Sequence, residues 1–214
     1  MLSLKGALVT IDAMGCQKEI ASKIIKKKAD YLLTVKKNQD NLYNTIETIF
    51  MSVESGTFPL EISEKETVNK SHGRIEKRHY SIIKDIELFS SMGEWEGLKC
   101  IGKVKRVCII GAKESEETRY FICSKEVDID EFSDTVRSHW GIENSLHWVL
   151  DIVFRDDESR VREKNAAANF VTLKHITLNM LKSLPGKKSM RVRRKLAGWD
   201  EGFLLEALMA TPTA

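Results

Sequence analysis

Three side chains that can bind a metal or move a proton recur every four residues between Phe132 and Phe154. They are His139, Glu143 and His147, and this spacing places them on one face of an α-helix. Apolar residues fall on the same side at about 100° per residue: Phe132, Val136, Trp140, Leu146 and Leu150. The pattern therefore predicts a carboxylate within an apolar stripe, where an ionised group must be paired, hydrogen-bonded or bound to a metal.

Two other interpretations of these residues stay open. All three could bind zinc directly, because side chains four residues apart meet on one helix face, although the sequence offers no supporting pair of cysteines or histidines. Each histidine alone is also typical of a satisfied core residue, and Glu143 of a helix residue at the edge of the stripe.

A second candidate carboxylate, Asp12, follows a short apolar run. Residues 7–11 predict a buried strand, 17–28 a helix and 31–35 a second strand. Strand, helix and strand within about 30 residues form a βαβ unit with parallel strands. Ligands collect at the carboxyl ends of such strands, so Asp12 is expected to meet the polar residues that follow the second strand: Lys36, Lys37, Asn38 and Gln39. The equal alternative for Asp12 is a turn residue that caps the next helix.

The middle of the chain changes in character. A helix is predicted over 41–53, and residues 58–127 read mainly as strands, at 74–83, 99–110 and 119–123, with turns at 72–73, 92–93 and 111–117. The segment is interpreted as a small β insertion within an α/β chain. It carries candidate contacts for a phosphate backbone: His72, Arg74, Lys103, Lys105 and Arg106.

Helices are predicted for the rest of the chain. The helix of Glu143 begins at an acidic cap, Asp128 or Asp130, and ends near residue 154. Ser159 caps a second helix that runs to about residue 184 and stops at a Pro-Gly pair. A basic cluster follows and would suit a polyanion: Lys187, Lys188, Arg191, Arg193, Arg194 and Lys195.

Composition limits the class of protein. With 214 residues and 42% hydrophobic content the chain can bury a core, and its net charge is +3. No apolar run is long enough to span a bilayer, and residues 1–6 lack the apolar segment of a signal peptide, so a cytoplasmic protein without a membrane partner is expected. The four cysteines form no CxxC pair, which predicts reduced, mostly structural thiols.

Several stretches together resemble the DDE transposases of bacterial insertion sequences, in the branch that includes the H-repeat-associated proteins found beside Rhs elements. The stretches are residues 8–17, 29–33, 37–39, 72–76, 139–151 and 165–169. The resemblance extends over nearly the whole chain. Its most specific part is the His-Trp-Gly-Ile-Glu-Asn sequence at 139–144.

The resemblance implies an RNase H-like α/β fold, with residues 1–57 and 128–214 in its core and 58–127 as a mainly β insertion before the catalytic C-terminal helix. It implies three carboxylates that hold two divalent ions, Mg²⁺ or Mn²⁺, for phosphodiester cleavage and strand transfer. Asp12 matches the second of these catalytic, metal-binding carboxylates, and Glu143 matches the third. The implied partners are insertion-sequence ends, target DNA and further copies of the chain. Residues 36–39, His139 and His147 are further candidate DNA contacts.

The sequence also departs from the family. The first aspartate of the family lies on an earlier strand, whereas only eleven residues precede Asp12 here. On the last helix, Val136, His139 and Leu150 stand where related transposases carry tyrosine, arginine and lysine. We therefore expect the C-terminal portion of a transposase, with the first strands missing. It should not cut or join DNA alone, since two carboxylates do not complete the site. The alternative is a non-catalytic remnant that binds DNA or transposase subunits and interferes with the intact enzyme.

Overall fold

The computed structural model of the protein describes residues 3–71, 73–84, 86 and 93–210, with the backbone but not the side chains of Glu143 and Asn144. The chain divides into two compact units, Met1–His139 and Trp140–Ala214. His72, a candidate DNA contact, and Met92, in a predicted turn, lie outside the described residues.

Six strands within the described part of the first unit form one mixed sheet in the order β1-β2-β6-β5-β4-β3. They are β1 (Leu8–Ile11), β2 (Asp30–Val35), β3 (Ile62–Ser71), β4 (Arg74–Ile83), β5 (Cys100–Ile110) and β6 (Lys113–Cys123). β1 and β2 are parallel, as predicted for the βαβ unit, and the other pairs are antiparallel. The predicted α/β class is confirmed. Strands from residues 1–57 and from 58–127 belong to the same sheet because β2 pairs with β6.

Helices cover both faces of this sheet. On one face, α1 (Lys18–Lys26) and α2 (Asp40–Glu54) share a core with alternate residues of β2, Tyr31, Leu33 and Val35. On the other face, α3 (Ile129–Ile142) shares a second core with Leu32. Successive side chains of a strand point to opposite faces, so the unbroken apolar run of β2 is explained by burial on both sides.

The packing of α3 on the sheet depends on a close approach at Gly102. The ring of Phe132 contacts Tyr80 and Phe121 edge-on, with centroids 6.3 and 5.7 Å apart. A Cβ atom on Gly102 would lie 2.4 Å from Cζ of Phe132. The helix begins at Asp128, whose Oδ1 accepts a 2.7 Å hydrogen bond from the amide of Glu131, so Asp128 is confirmed as a cap.

Two strand predictions need correction. Residues 111–117 were predicted as a turn, but β6 begins at Lys113, directly after a two-residue loop in which Gly111 has φ +60°. β3, over Ile62–Ser71, has no counterpart among the predicted strands. Both segments are rich in charged, exposed residues, a composition that resembles a loop but also suits the exposed end of a hairpin or an edge strand.

The single helix predicted from Phe132 to Phe154 is wrong in its middle. Five residues, Glu143–His147, form a π-helical turn between α3 and α4 (Trp148–Phe154). A π turn adds a residue to the turn, so faces before and after it are no longer aligned by the α-helical period. Trp140, which was predicted in the apolar stripe, is 43% exposed, whereas Phe132, Val136 and Leu150 are buried.

Three further helices complete the second unit: α5 (Ala166–Ser183), α6 (Met190–Trp199) and α7 (Glu201–Met209). The predicted start of α5 at Ser159 is wrong, because the amide of Ser159 donates to the carbonyl of Asp156 in a turn and the helix starts seven residues later. The predicted end near residue 184 is confirmed. Val149, Leu150 and Val153 of α4 pack with Leu178 of α5 in a small core.

The four cysteines are buried and free, as the sequence predicted. Burial raises the pKa of the Cys16 thiol to about 12, so it stays protonated at neutral pH. None of the helices in the described part of the chain is both long and apolar enough to cross a membrane.

The contact between Gly102 and Phe132 predicts that Gly102→Ala destabilises the first unit by about 1–3 kcal/mol, because the added methyl group must displace the ring. Thermal unfolding followed by circular dichroism measures the effect. The matched control is Gly198→Ala in α6, where an added Cβ meets nothing within 4 Å. Its helix propensity should leave stability unchanged or raised by up to about 1 kcal/mol. Equal melting temperatures for the two variants would contradict the packing described.

Candidate active site

The carboxyl ends of the parallel strands bring Asp12 and Lys36 together. Ile11 of β1 is in register with Leu33 of β2, and the two polar residues follow these strands. Nζ of Lys36 lies 3.9 Å from Oδ1 of Asp12. The Asp12 side chain is 66% exposed, so this ion pair adds little stability and leaves the carboxylate open to a ligand.

The alternative role of Asp12 as a helix cap is not supported. Asp12 precedes a short 3₁₀ turn, Ala13–Gly15, yet its side chain makes no capping hydrogen bond. The turn is held instead by residues from the end of β2. Asn38 Nδ2 donates to the carbonyl of Ala13 at 2.8 Å, and Gln39 Nε2 donates to that of Cys16 at 3.0 Å. These amides therefore brace the backbone beside Asp12, while Lys37 is exposed.

His139 connects α3 to the strand that carries Asp12. Its Nδ1 lies 3.0 Å from Oγ1 of Thr10, two residues before Asp12 and on the same side of β1. Which atom donates depends on the histidine tautomer. Glu143 starts the π turn four residues later, and its side chain lies outside the described structure. His147 ends that turn and is exposed.

The carboxylate of Asp12 is an oxygen ligand of the kind that a hard cation prefers, and the charged group described beside it is the ammonium of Lys36. Mg²⁺ prefers oxygen ligands and is commonly bound through one or two carboxylates, with waters and substrate oxygens completing its shell. Asp12 supplies one such carboxylate. Among the side chains that the structure describes, no three His, Cys, Asp or Glu residues are grouped as metal ligands. The zinc interpretation depends on Glu143, whose side chain is not among them, so it stays a hypothesis.

Asp156, one of the acids that follow the helical segment containing Glu143, is paired with a buried lysine. Its Oδ1 accepts from Nζ of Lys174 at 2.5 Å, and the lysine side chain is only 8% exposed. The same ammonium lies 4.7 Å from the ring centroid of Phe170. A buried charge without its partner is costly, so Asp156 has a structural role in the second unit.

Strand alternation separates the candidate DNA contacts of the β segment. Arg74 and Arg106 lie on the face of the sheet that packs against α3, whereas Lys103 and Lys105 lie on the opposite face. Lys103 pairs with Glu54 of α2, and Lys105 with Glu116 of β6 at 2.9 Å. Position along the chain grouped Lys103, Lys105 and Arg106 together, whereas strand alternation separates Arg106 from the two lysines.

The basic cluster at 187–195 is also divided by the structure. Arg193 is only 7% exposed and donates to carbonyl groups around the end of α5, those of Leu181 and Leu184 at 2.6 Å and that of Gly186 at 2.5 Å. Arg194 donates to the carbonyl of Val153. Carbonyl groups in the last turn of a helix lack intrahelical partners, so both arginines are structural here.

The mixed α/β fold is consistent with the family that comparisons with known proteins find. Residues 1–180 match the family described as the transposase DDE domain, and the chain belongs to this family.

Curated relatives carry related names. The chain is 40% identical over 218 residues to "Putative transposase YncI" of Escherichia coli O157:H7, with 97% of this chain and 54% of the relative covered. It is 38% identical over 215 residues to both "H repeat-associated putative transposase YhhI" and "Putative protein YbfL" of Escherichia coli K12, with 97% of this chain and 56% of each relative covered. The chain thus spans about half the length of the curated relatives it matches.

The buried arginine of α6 gives a prediction for stability. Arg193→Met leaves several carbonyl groups at the end of α5 without a donor and should destabilise the second unit by about 1–3 kcal/mol. Arg191→Met, at an exposed position of the same helix, removes the same charge and should change stability by less than about 0.5 kcal/mol. Denaturant unfolding followed by circular dichroism compares them, and equal midpoints would show that the arginine is not a structural cap.

Proposed function

We propose that this chain is part of a DDE transposase, which binds insertion-sequence ends and target DNA and uses divalent metal ions for phosphodiester cleavage and strand transfer. The observation that carries the proposal is the exposed, uncapped carboxylate of Asp12 at the carboxyl end of a parallel strand, in a chain of the DDE domain family. Ligands collect at this end of parallel strands. The names of the relatives, two of which include the word transposase, agree with this function.

In this proposal Asp12 is the second carboxylate of the family's triad and Glu143 the third. Bound Mg²⁺ or Mn²⁺ would activate water or a DNA 3′-hydroxyl and stabilise the leaving oxygen. Asp12 contributes a metal ligand that is open to solvent, and the ammonium of Lys36 beside it is suited to hold a substrate phosphate. Asn38 and Gln39 keep the Asp12 turn in place, and His139 ties α3 to β1 through Thr10.

The fold assignment within this proposal is an RNase H-like core that is incomplete at its start. Residues 1–57 supply the βαβ unit, residues 128–214 supply C-terminal helices, and residues 58–127 are the insertion. The parallel β1–β2 pair with its helical crossover supports this assignment. On this assignment the 214 residues hold two of the three carboxylates and are inactive alone, and the active assembly is an oligomer.

A metal-binding measurement tests the role of Asp12. We expect Asp12→Asn to weaken binding of Mn²⁺ to the chain by about tenfold or more, as for loss of a group that supports a metal site. Electron paramagnetic resonance of free Mn²⁺ during a titration reports it. Asp40→Asn, at an exposed position in α2, removes the same charge and should leave the affinity unchanged. Equal weakening by both variants would show that the loss of affinity comes from net charge alone. It would contradict a ligand role for Asp12.

DNA nicking and DNA binding separate the catalytic proposal from its alternative. The 214-residue chain should not nick supercoiled DNA with Mg²⁺ or Mn²⁺, since it lacks one carboxylate of the triad. Metal-dependent nicking that Glu143→Gln abolishes would contradict the incomplete-site proposal.

Salt-dependent DNA binding that neither Asp12→Asn nor Glu143→Gln changes, with no metal binding at Asp12, would favour the non-catalytic remnant that interferes with intact transposase.

A further inference from the structure

Four arginines of the sheet face that α3 packs against lie together with one arginine of α3 itself. We call this set the arginine face: Arg74, Arg78, Arg106, Arg119 and Arg137. Arg78 of β4 stands directly opposite Arg106 of β5. Like charges in this position oppose strand pairing, so something in the structure must offset them.

The carboxylate of Glu76 is the offsetting group. It is 7% exposed and contacts three guanidinium groups, those of Arg74, Arg78 and Arg106, the last at 2.9 Å from Nε. Burial alone would raise the pKa of Glu76, but the hydrogen bond from Arg106 and the three positive charges outweigh it and hold the pKa below its ordinary value. Glu76 is therefore ionised at neutral pH. It holds the guanidinium groups of Arg74, Arg78 and Arg106 next to one another.

Glu117 and Asn69 hold the arginines at the two sides of the arginine face. Glu117 of β6 accepts from Nε of Arg119 at 2.8 Å and lies 3.6 Å from Nη1 of Arg106. On the other side, the amide oxygen of Asn69, in the orientation that satisfies its hydrogen bonds, accepts from Arg137 at 2.9 Å and Arg78 at 3.1 Å. Among the side chains that the structure describes, four of the five arginines contact two carboxylates, Glu76 and Glu117, and Arg137 is bonded to a neutral amide. Five positive charges thus stand against two negative ones in this set.

The opposite face of the same strands is balanced differently. By strand alternation that face of β3 to β6 carries equal numbers of lysines and glutamates: Lys70, Lys77, Lys103 and Lys105, and Glu64, Glu66, Glu114 and Glu116. Lys103 pairs with Glu54 of α2 and Lys105 with Glu116, and His79 faces Glu66 at 3.7 Å. The surplus of positive charge is therefore confined to one face. A network that served only to stabilise the sheet would have no need of it, since excess like charge opposes folding.

The arginine face also continues the edge that carries Asp12. Thr10, Asp12 and Lys36 alternate onto the α3 side of β1 and β2, and Val35 is in register with Tyr120, so the next positions are Lys36 and Arg119. The hydrogen bond from Arg119 is the main cause of the lowered pKa of Glu117, and the charge of Lys36 is a smaller cause. The register thus places Lys36 and Arg119 beside each other on adjacent strands.

We propose that the arginine face binds the phosphate backbone of duplex DNA that extends from the Asp12 edge, with Glu76 as the residue that positions the arginines. The inference rests on the proposed function, because it takes DNA as the ligand. Guanidinium groups match phosphate oxygens with two parallel hydrogen bonds, and each carries five donors, more than a shared carboxylate uses.

The test compares neighbours on opposite faces of β4. Fluorescence anisotropy of a labelled duplex several helical turns long gives the dissociation constant across a NaCl series. Arg78→Gln should weaken binding and reduce the slope of log K against log salt by about one, because one phosphate contact is lost. Lys77→Gln removes the same charge from the exposed opposite face and should leave the slope unchanged. Arg78→Lys keeps the charge and should restore most of the slope.

A second variant guards against loss of the fold. Arg137 is exposed and bonded to a neutral amide, so Arg137→Gln should keep the wild-type melting temperature while reducing the salt slope. Equal slopes for Arg78→Gln, Arg137→Gln and Lys77→Gln, with wild-type binding intact, would overturn the arginine face and leave the proposed function standing. A wild-type chain that binds no duplex at low salt would overturn both.

Discussion

The pairing of β2 on both sides is the constraint on which the rest of the first unit depends. β2 is parallel to β1 on one edge and antiparallel to β6 on the other, and five of its six residues are buried. Its alternate side chains enter both cores, Leu33 beneath α1 and α2 and Leu32 beneath α3. A one-residue slip of this strand would exchange the two sets and move Lys36 away from Asp12. The pairing of this one strand therefore fixes the positions of both the Asp12–Lys36 pair and the arginine face.

Local patterns predicted the elements on either side of Asp12 well, because those elements are short and their apolar residues are unambiguous. A buried apolar run marks β2, and helical spacing of Leu42, Ile46, Ile49 and Val53 marks α2. The hydrogen bonds that Asn38 and Gln39 make to the Asp12 turn could not be predicted, since they join residues more than twenty positions apart. Only the parallel register brings those amides to the turn.

The prediction from sequence was wrong where the backbone departs from the regular α-helical period. An apolar stripe at 100° per residue assumes an unbroken α-helix, and the π turn at Glu143–His147 breaks that assumption. Gly141, just before the turn, was the available signal, because glycine weakens a helix interior.

The grouping of charged residues was hard to predict for a different reason. Arg106 and Lys105 are adjacent in the chain but face opposite sides, and Arg74, Glu76 and Arg78 share one face because of their spacing of two. The spacing of two was visible in the sequence, but the register with β5 was not.

The layout of the sheet also limits what the arginine face can recognise. Strands in a sheet are about 4.8 Å apart, so the four steps from β1 to β4 span about 19 Å. At about 3.4 Å per base pair, DNA with its reactive phosphate at Asp12 would pass Arg78 roughly six base pairs away. Contacts made there by guanidinium groups hold the backbone and fix its direction, but they carry no direct base readout. On the proposed function, then, the arginine face supplies affinity and orientation. Recognition of particular insertion-sequence ends has to come from groups that reach the base edges in a groove.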